Sequence, residues 1–239
     1  VTIRIQIDAR YNGPPKSGNG GYCCGLMANL IGGSATVSLK APPPLETQIE
    51  LRRVDGKVEM HEGGRLIGVA EAATLDLEVP KLPNPLILTG SPVSASGKPA
   101  AFAPFSGCFV CGTNRKHRDG LCIYSKMVDG HDDMVAGVWH LHDGLADTEG
   151  NVMPEFLWSA LDCPGYFACA PGEAALLGKL TTEIIAPLPA SGDATVLGWD
   201  LGGSGRKRRS GTAVFDRDRK LIAKAEGLWI LVDPAMMTS

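Results

Sequence analysis

The segment Ser17–Gly33, SGNGGYCCGLMANLIGG, carries no charged side chain, and a helix started near Asn19 or Gly20 has small or apolar residues on every face. Such a helix has no side to offer water, so it is stable only if protein encloses it all round. Its glycines suggest a phosphate cradle, but the residues refuse both nucleotide readings. A dinucleotide fingerprint needs a third glycine where Cys23 stands, and a Walker loop needs Gly-Lys-Ser/Thr in a segment without lysine. What remains is a buried rod that a sheet has to wrap.

The chain supplies strands in the right order to do this, and supplies them twice. Val1, Ile3, Ile5 and Ile7 alternate with Thr2, Arg4, Gln6 and Asp8, the period-two pattern of a half-buried strand. After the apolar rod come ATVSLKA, TQIELRRV, KVEMHE and RLIGVAEAATL, separated by PPP, DG and GG turns. The order then repeats: MVAGVWHL as a strand, VMPEFLWSALD as a helix, and LTTEIIA, ATVLGWDL, GTAVFD and KLIAKAEGLWILV as four strands. Residue matches support a duplication. RLIGVAE at Arg65–Glu71 resembles KLIAKAE at Lys220–Glu226, and APPP at Ala41–Pro44 resembles APLP at Ala186–Pro189 in the same order along the chain. The second copy is about ten residues longer between its matches, an insertion that a longer hairpin around GGSGRKRR absorbs.

Between the copies, the stretch from Pro80 to Pro104 is rich in proline, glycine, serine and alanine, so neither a helix nor a central strand runs through it. The expected organisation is a first repeat at 1–78, a connector with a CxxC segment at 79–132 and a second repeat at 133–239. A net charge of −3, with both signs mixed along 239 residues, gives no general reason to expect nucleic acid or an anionic membrane as a partner. The apolar runs are far shorter than a membrane span, and the first residues lack the uncharged apolar block of a signal peptide. Seven cysteines, an odd number that includes adjacent ones, suit reduced thiols, and a cytoplasmic location is expected.

One strand, a central apolar helix and four more strands resemble the hotdog fold, and two tandem copies resemble a double hotdog. The expected class is therefore α+β, with two curved antiparallel sheets each wrapping a helix. Most hotdog proteins of known activity are acyl-CoA or acyl-carrier-protein thioesterases, with dehydratases and hydratases as a second group, so the resemblance implies thioester hydrolysis. Relatives resembling phenylacetyl-CoA thioesterase open the helix with His-Gly-Gly and carry an aspartate two turns later. Here Gly20 and Gly21 match the glycines, while Asn19 replaces the histidine and Ala28 stands about where the aspartate belongs. In the second copy Asp162 falls on the aspartate, and Pro154 and Glu155 replace the glycines. Each helix keeps half of the pattern, as expected if the site lies between paired halves.

That division assigns roles. Unpaired N–H groups at the start of the first helix, aided by the helix dipole, would stabilise a thioester oxygen that turns negative, and Gly20 and Gly21 would let substrate approach the backbone. Asn19 would cap the helix or bind the acyl carbonyl. Asp162 or Glu155 would act as general base, and Glu155, Ser159 and Asp162 share one helical face. Pro164 leaves the carbonyl of Ala160 without its helical partner, so the helix is expected to bend just after Asp162, beside a crevice. Tyr22, Trp158 and Tyr166 read as core or pocket walls. Arg206 and Arg208, within the RKRR run, are candidates for the phosphates of coenzyme A, against the default of a solvated hairpin tip.

Other motifs compete. Cys23 and Cys24 at a helix start suggest nucleophiles, but no histidine lies nearby to serve as base. Cys108, Cys111, His117 and Cys122 resemble a Cys-Cys-His-Cys zinc knuckle with one residue too many in the middle interval, and the alternative is a turn whose cysteines pack against the sheets. His140 and His142 alternate, giving half a metal site at most. The expectation is thus an acyl-CoA thioesterase-like hydrolase with no cofactor and no metal. A non-catalytic acyl or CoA binder is the alternative, and a zinc-knuckle nucleic-acid binder ranks below both. A homodimer of double hotdogs stays open, as does which of the two pseudo-equivalent sites is accessible.

Overall fold

The computed structural model describes residues 2–90 and 105–237; Val1, the 91–104 part of the connector and the last two residues lie outside them. The first half runs β1 (Thr2–Gln6), α1 (Gly20–Ala28), β2 (Ala35–Leu39), β3 (Gln48–Val54), β4 (Lys57–Glu62) and β5 (Arg65–Ala72). The connector contributes two short strands, β6 (Leu88–Thr89) and β7 (Lys126–Val128). The second half runs β8 (Met134–Leu141), α2 (Pro154–Ala160), α3 (Cys163–Cys169), β9 (Ala175–Ile184), β10 (Gly192–Ser204), β11 (Lys207–Phe215) and β12 (Leu221–Leu231). The element order read from the sequence is therefore present in both halves, but the second rod is two helices in place of one. The N–H of Leu161 closes α2 onto Leu157, and Asp162, at φ −80° and ψ −79°, turns the chain before α3 begins with a proline in its first turn.

The described strands form one antiparallel sheet in the order β1-β3-β4-β5-β2-β9-β12-β11-β10-β8-β7-β6. The halves join where β2 pairs with β9, and Thr36 there lies directly opposite Thr181, with their hydroxyls 2.8 Å apart. These two threonines are equivalent in the alignment that matches APPP with APLP. Under that alignment each threonine faces its own counterpart, the arrangement expected on an axis relating two copies.

α1 packs against β2, β4 and β5, and α3 against β8, β10 and β11. Cys23, Cys24 and Met27 of α1 are fully buried, in line with the enclosure that its sequence demands. Burying a side chain as large as Met27 contributes about 1.5–3 kcal/mol. α1 and α2 lie antiparallel and very close. A Cβ on Gly21 would fall 2.5 Å from the carbonyl oxygen of Trp158, and one on Gly25 would fall 2.6 Å from the Cα of Glu155. Glycine at these positions, one turn apart, is what lets the helices of the two halves touch.

Val79, Leu82, Leu86 and Leu88 of the connector, with Leu77 just before it, cover the outer face of the second half at Leu197, Trp199 and Phe215. Arg219 and Lys224 hold it there by donating to the carbonyls of Leu82 and Leu77 at 2.6 and 3.1 Å. Within the segment LCIYSKMV (121–128) only Lys126–Val128 is strand, and Cys122 has a φ of 52°. The RKRR run lies at the tip of the β10–β11 hairpin, where Arg206 is in the turn and Arg206, Lys207 and Arg209 are exposed, but it has partners. Lys207, Arg208 and Arg209 open β11, Arg208 forks onto Glu173 at 3.0 Å, and Arg209 pairs with Glu226 at 2.9 Å. Among the described residues no helix is long and apolar enough to cross a membrane.

If the glycine contacts set the helix spacing, Gly21→Ala and Gly25→Ala should each destabilise the protein by about 1–3 kcal/mol. Gly107→Ala, where an added Cβ meets nothing within 4 Å, should leave the urea midpoint nearly unchanged.

Candidate functional site

Asn19 precedes α1 with an extended backbone, and its Oδ1 accepts the N–H of Tyr22 at 2.9 Å, a capping arrangement that satisfies one of the helix's free donors. Its Nδ2 faces the other way and donates to Oδ2 of Asp162 at 2.9 Å. The same Oδ2 accepts the N–H of Gly21 at 2.8 Å. Asp162 thus reaches across the helix pair from the α2–α3 break to the positive end of α1, where an anion is favoured. Asn19 and Asp162 are 2% and 3% exposed, so these bonds form in a largely dehydrated setting.

Burial is the largest influence on the Asp162 carboxyl and raises its pKa to about 7. The Gly21 hydrogen bond opposes this, the nearby Cys108 sulfur adds to it, and the Asn19 bond opposes it again. Oδ1 of Asp162 is buried and has no hydrogen-bond partner among the described residues. The N–H of Cys23 is spent on Asn19, and those of Tyr22 and Gly21 on the bonds above. Among the described residues only the N–H of Gly20 in this first turn lacks a protein acceptor.

Gly20, Asn19 and Asp162 border a cavity of about 480 Å³. Its walls are mainly apolar, with Leu177, Tyr166, Trp229 and Pro43 among them, and the exposed Lys16 and Lys40 stand on its border. Three sulfurs also line it. Cys108 and Cys111 come from the connector and Cys163 from the start of α3, and their Sγ atoms all lie within 4.8 Å of one another. The thiols of Cys111 and Cys163 turn toward Cys108 and hold its pKa well below the usual thiol range, while their own are raised. Cys23 is different: it is wholly enclosed, and burial pushes its thiol up, the reverse of an activated nucleophile.

The structure therefore gathers Asn19, Gly20, Gly21 and Asp162, and separates the rest of the expected set. Glu155 is at the other end of the helix pair, where its Oε2 accepts from Asn29 at 2.9 Å. It is displaced because α1 and α2 run antiparallel, which puts residues two turns apart on α2 at opposite ends of α1. Ser159 is completely buried, donates to the carbonyl of Glu155 at 2.7 Å, and packs against Gly21. Tyr22 stacks on Tyr11 with ring centroids 4.2 Å apart, beside Phe109 and Phe156, in the core. Gly21 serves helix contact and holds Asp162, and of the two glycines only Gly20 faces the cavity. Arg206 and Arg208 are not on its border.

The knuckle set is likewise divided. His117 packs against the rings of His142 and His140, at 5.3 and 6.4 Å between centroids, and the Cys122 thiol turns to the carbonyl of Arg115. Sequence reasoning missed Lys16 and Lys40, and it missed Cys163 as a partner of the CxxC pair. Adjacency of Cys163 to Asp162 was the one available signal, and it says nothing about what lies across from it.

A buried helix in each half and a shared antiparallel sheet with this strand order define the hotdog fold. Among solved structures, a hotdog-fold protein of unknown function from Alicyclobacillus acidocaldarius superposes with a TM-score of 0.61 at 12% identity, covering 98% of this chain and 94% of its own. The tesB protein of Mycobacterium avium subs paratuberculosis matches with a TM-score of 0.63 at 12% identity, over 97% and 93% of the two chains. A protein described as a thioesterase II from Thermobifida fusca YX matches at 0.61 and 16% identity, over 97% and 92%. No family model and no curated protein matches the sequence.

Asn19→Ala removes both the helix cap and a hydrogen bond to a buried carboxylate. It should cost about 2–3 kcal/mol of stability, read as a lowered midpoint in urea unfolding.

Proposed function

We propose that this protein is a double hotdog hydrolase of acyl-CoA-like thioesters, working in the cavity between repeats 1–78 and 133–239, which the 79–132 connector joins. The observation that carries the reading is Asp162, a buried carboxylate fixed by the N-terminus of α1 at the edge of a 480 Å³ apolar chamber. The acyl group occupies the apolar walls. Its carbonyl oxygen approaches Gly20, whose free N–H and the dipole of α1 stabilise the negative charge formed as water attacks. Asp162 accepts the proton of that water on Oδ1, since Oδ2 is already committed to Gly21 and Asn19. Collapse of the adduct breaks the C–S bond, and the thiol leaves with a proton.

Asn19 is a positioning residue in this scheme: it sets the orientation of the carboxylate and does not touch the acyl group. The phosphates of the carrier meet Lys16 and Lys40 on the cavity border, in place of Arg206 and Arg208, which do not line it. The overall resemblance of the chain to proteins described as thioesterases supports the reaction class. The protein is proposed to act in the cytoplasm, and its proposed assembly is a homodimer of double hotdogs.

Asp162→Asn keeps the shape and the two accepted hydrogen bonds on the amide oxygen but cannot take a proton. Turnover of an acyl-CoA panel should fall by about 10²–10⁴-fold with the fold retained, whereas Glu155→Gln should hydrolyse like the parent. Coenzyme A binding without hydrolysis in the parent protein would replace the enzyme with a binder. Replacing Lys16 and Lys40 together by glutamate should raise KM for acyl-CoA about tenfold or more and leave kcat, and hydrolysis of a truncated thioester lacking the nucleotide, nearly unchanged.

A further inference from the structure

Cys108, Cys111 and Cys163 converge although more than fifty residues separate the first from the last. The Sγ atoms of Cys108 and Cys163 are 3.7 Å apart, and all three sulfurs lie within 4.8 Å of one another. Sulfurs bound tetrahedrally to one zinc ion at about 2.3 Å are about 3.8 Å from each other. The Cys108–Cys163 distance is thus one that two ligands of a single zinc ion adopt, and it is longer than a disulfide bond.

The backbone that presents them is rigid. Gly112 donates to the carbonyl of Cys108 at 2.9 Å, and a Cβ on Gly112 would fall 2.4 Å from that oxygen, so the Cys-Phe-Val-Cys-Gly turn is tightly wound. The turn is tied down on both sides. Phe109 donates to the carbonyl of Asn12 and accepts from Leu121, both at 2.8 Å, and Ile123 donates to Val110 at 2.9 Å. Cys163 meets this turn from the start of α3. Beside it, Asp162 keeps a buried Oδ1 that neither a hydrogen bond nor an ion pair satisfies among the described residues. Asp162 thus brings an unpartnered buried oxygen to the border of the same cavity that the three sulfurs line.

We propose that Cys108, Cys111 and Cys163 together form a three-thiolate binding site for a divalent zinc ion, whose fourth position opens to the cavity. All three cysteines border that cavity, so the remaining ligand is solvent or a small group entering from it. On binding, the three thiols lose their protons and the ion fastens the connector turn to the α2–α3 break, the same break that carries Asp162. The proposal differs from the knuckle reading in its ligands: His117 and Cys122 are outside the site, and Cys163 is inside. It does not depend on thioester hydrolysis.

The test uses the full chain, reduced, chelator-stripped and kept anaerobic, titrated with Co²⁺ alone. One equivalent should produce a near-ultraviolet thiolate-to-cobalt charge-transfer band and strong tetrahedral ligand-field bands, and Zn²⁺ should displace the cobalt. Cys111→Ser and Cys163→Ser should lose most of the charge-transfer intensity and bind at least tenfold more weakly, while Cys122→Ser should behave like the parent. Far-UV circular dichroism checks folding. If a serine variant is unfolded, the parent spectrum with the Cys122→Ser comparison decides. Reduced parent protein that develops no charge-transfer band overturns the proposal, as does a band abolished by Cys122→Ser and kept by Cys163→Ser.

Discussion

The carboxylate of Asp162 is inserted at the head of α1, and nearly every other feature of the site follows from the cost of burying it. Taking a carboxylate out of water without partners costs several kcal/mol, and hydrogen bonds to a charged group return about 1.5–3 kcal/mol each. Gly21 and Asn19 provide two such bonds, both on one oxygen. They are available only because glycine at 21 lets α2 approach within contact distance of the α1 backbone, and because the chain turns at Asp162 before α3. An alanine at 21 or an uninterrupted second helix would carry the carboxylate away from its donors.

The helix pair has two ends, and the two differ. At one end α1 has the glycine-rich start and α2 contributes the acid. At the other, the start of α2 has Pro154 and Glu155, and Glu155 reaches Asn29 just past the end of α1. That bond is between exposed groups and closes the end with an ordinary polar contact. The cavity lies at the first end, with the apolar walls, the free Gly20 N–H and the three sulfurs. The connector adds to this asymmetry, since a simple twofold pair of repeats has no counterpart to the Cys108–Gly112 turn.

Much of the architecture was legible because burial writes a period into sequence. Residues 137–141 of β8 alternate buried and exposed, and the uncharged faces of α1 state that it is enclosed. Asp162 was legible through its resemblance to a helix position and through Pro164, which marks the break. The covering role of the connector was not legible, because prolines rule out a regular strand but do not prevent a chain from covering a sheet through scattered leucines. Glu155 was placed in the site because spacing along one helix gives a shared face, not which end of that face meets the neighbouring helix.

Local chemistry in the chain determined the elements, their order, their repetition and the enclosure of two apolar helices, because each of these depends on residues a few positions apart. The meeting of Asp162 with Gly21, of Glu155 with Asn29 and of Cys163 with Cys108 was decided only in three dimensions. Those contacts depend on the antiparallel sense of the helices and on where the connector returns to the sheet. Both are set by the joint packing of the two halves, which no short stretch of sequence contains.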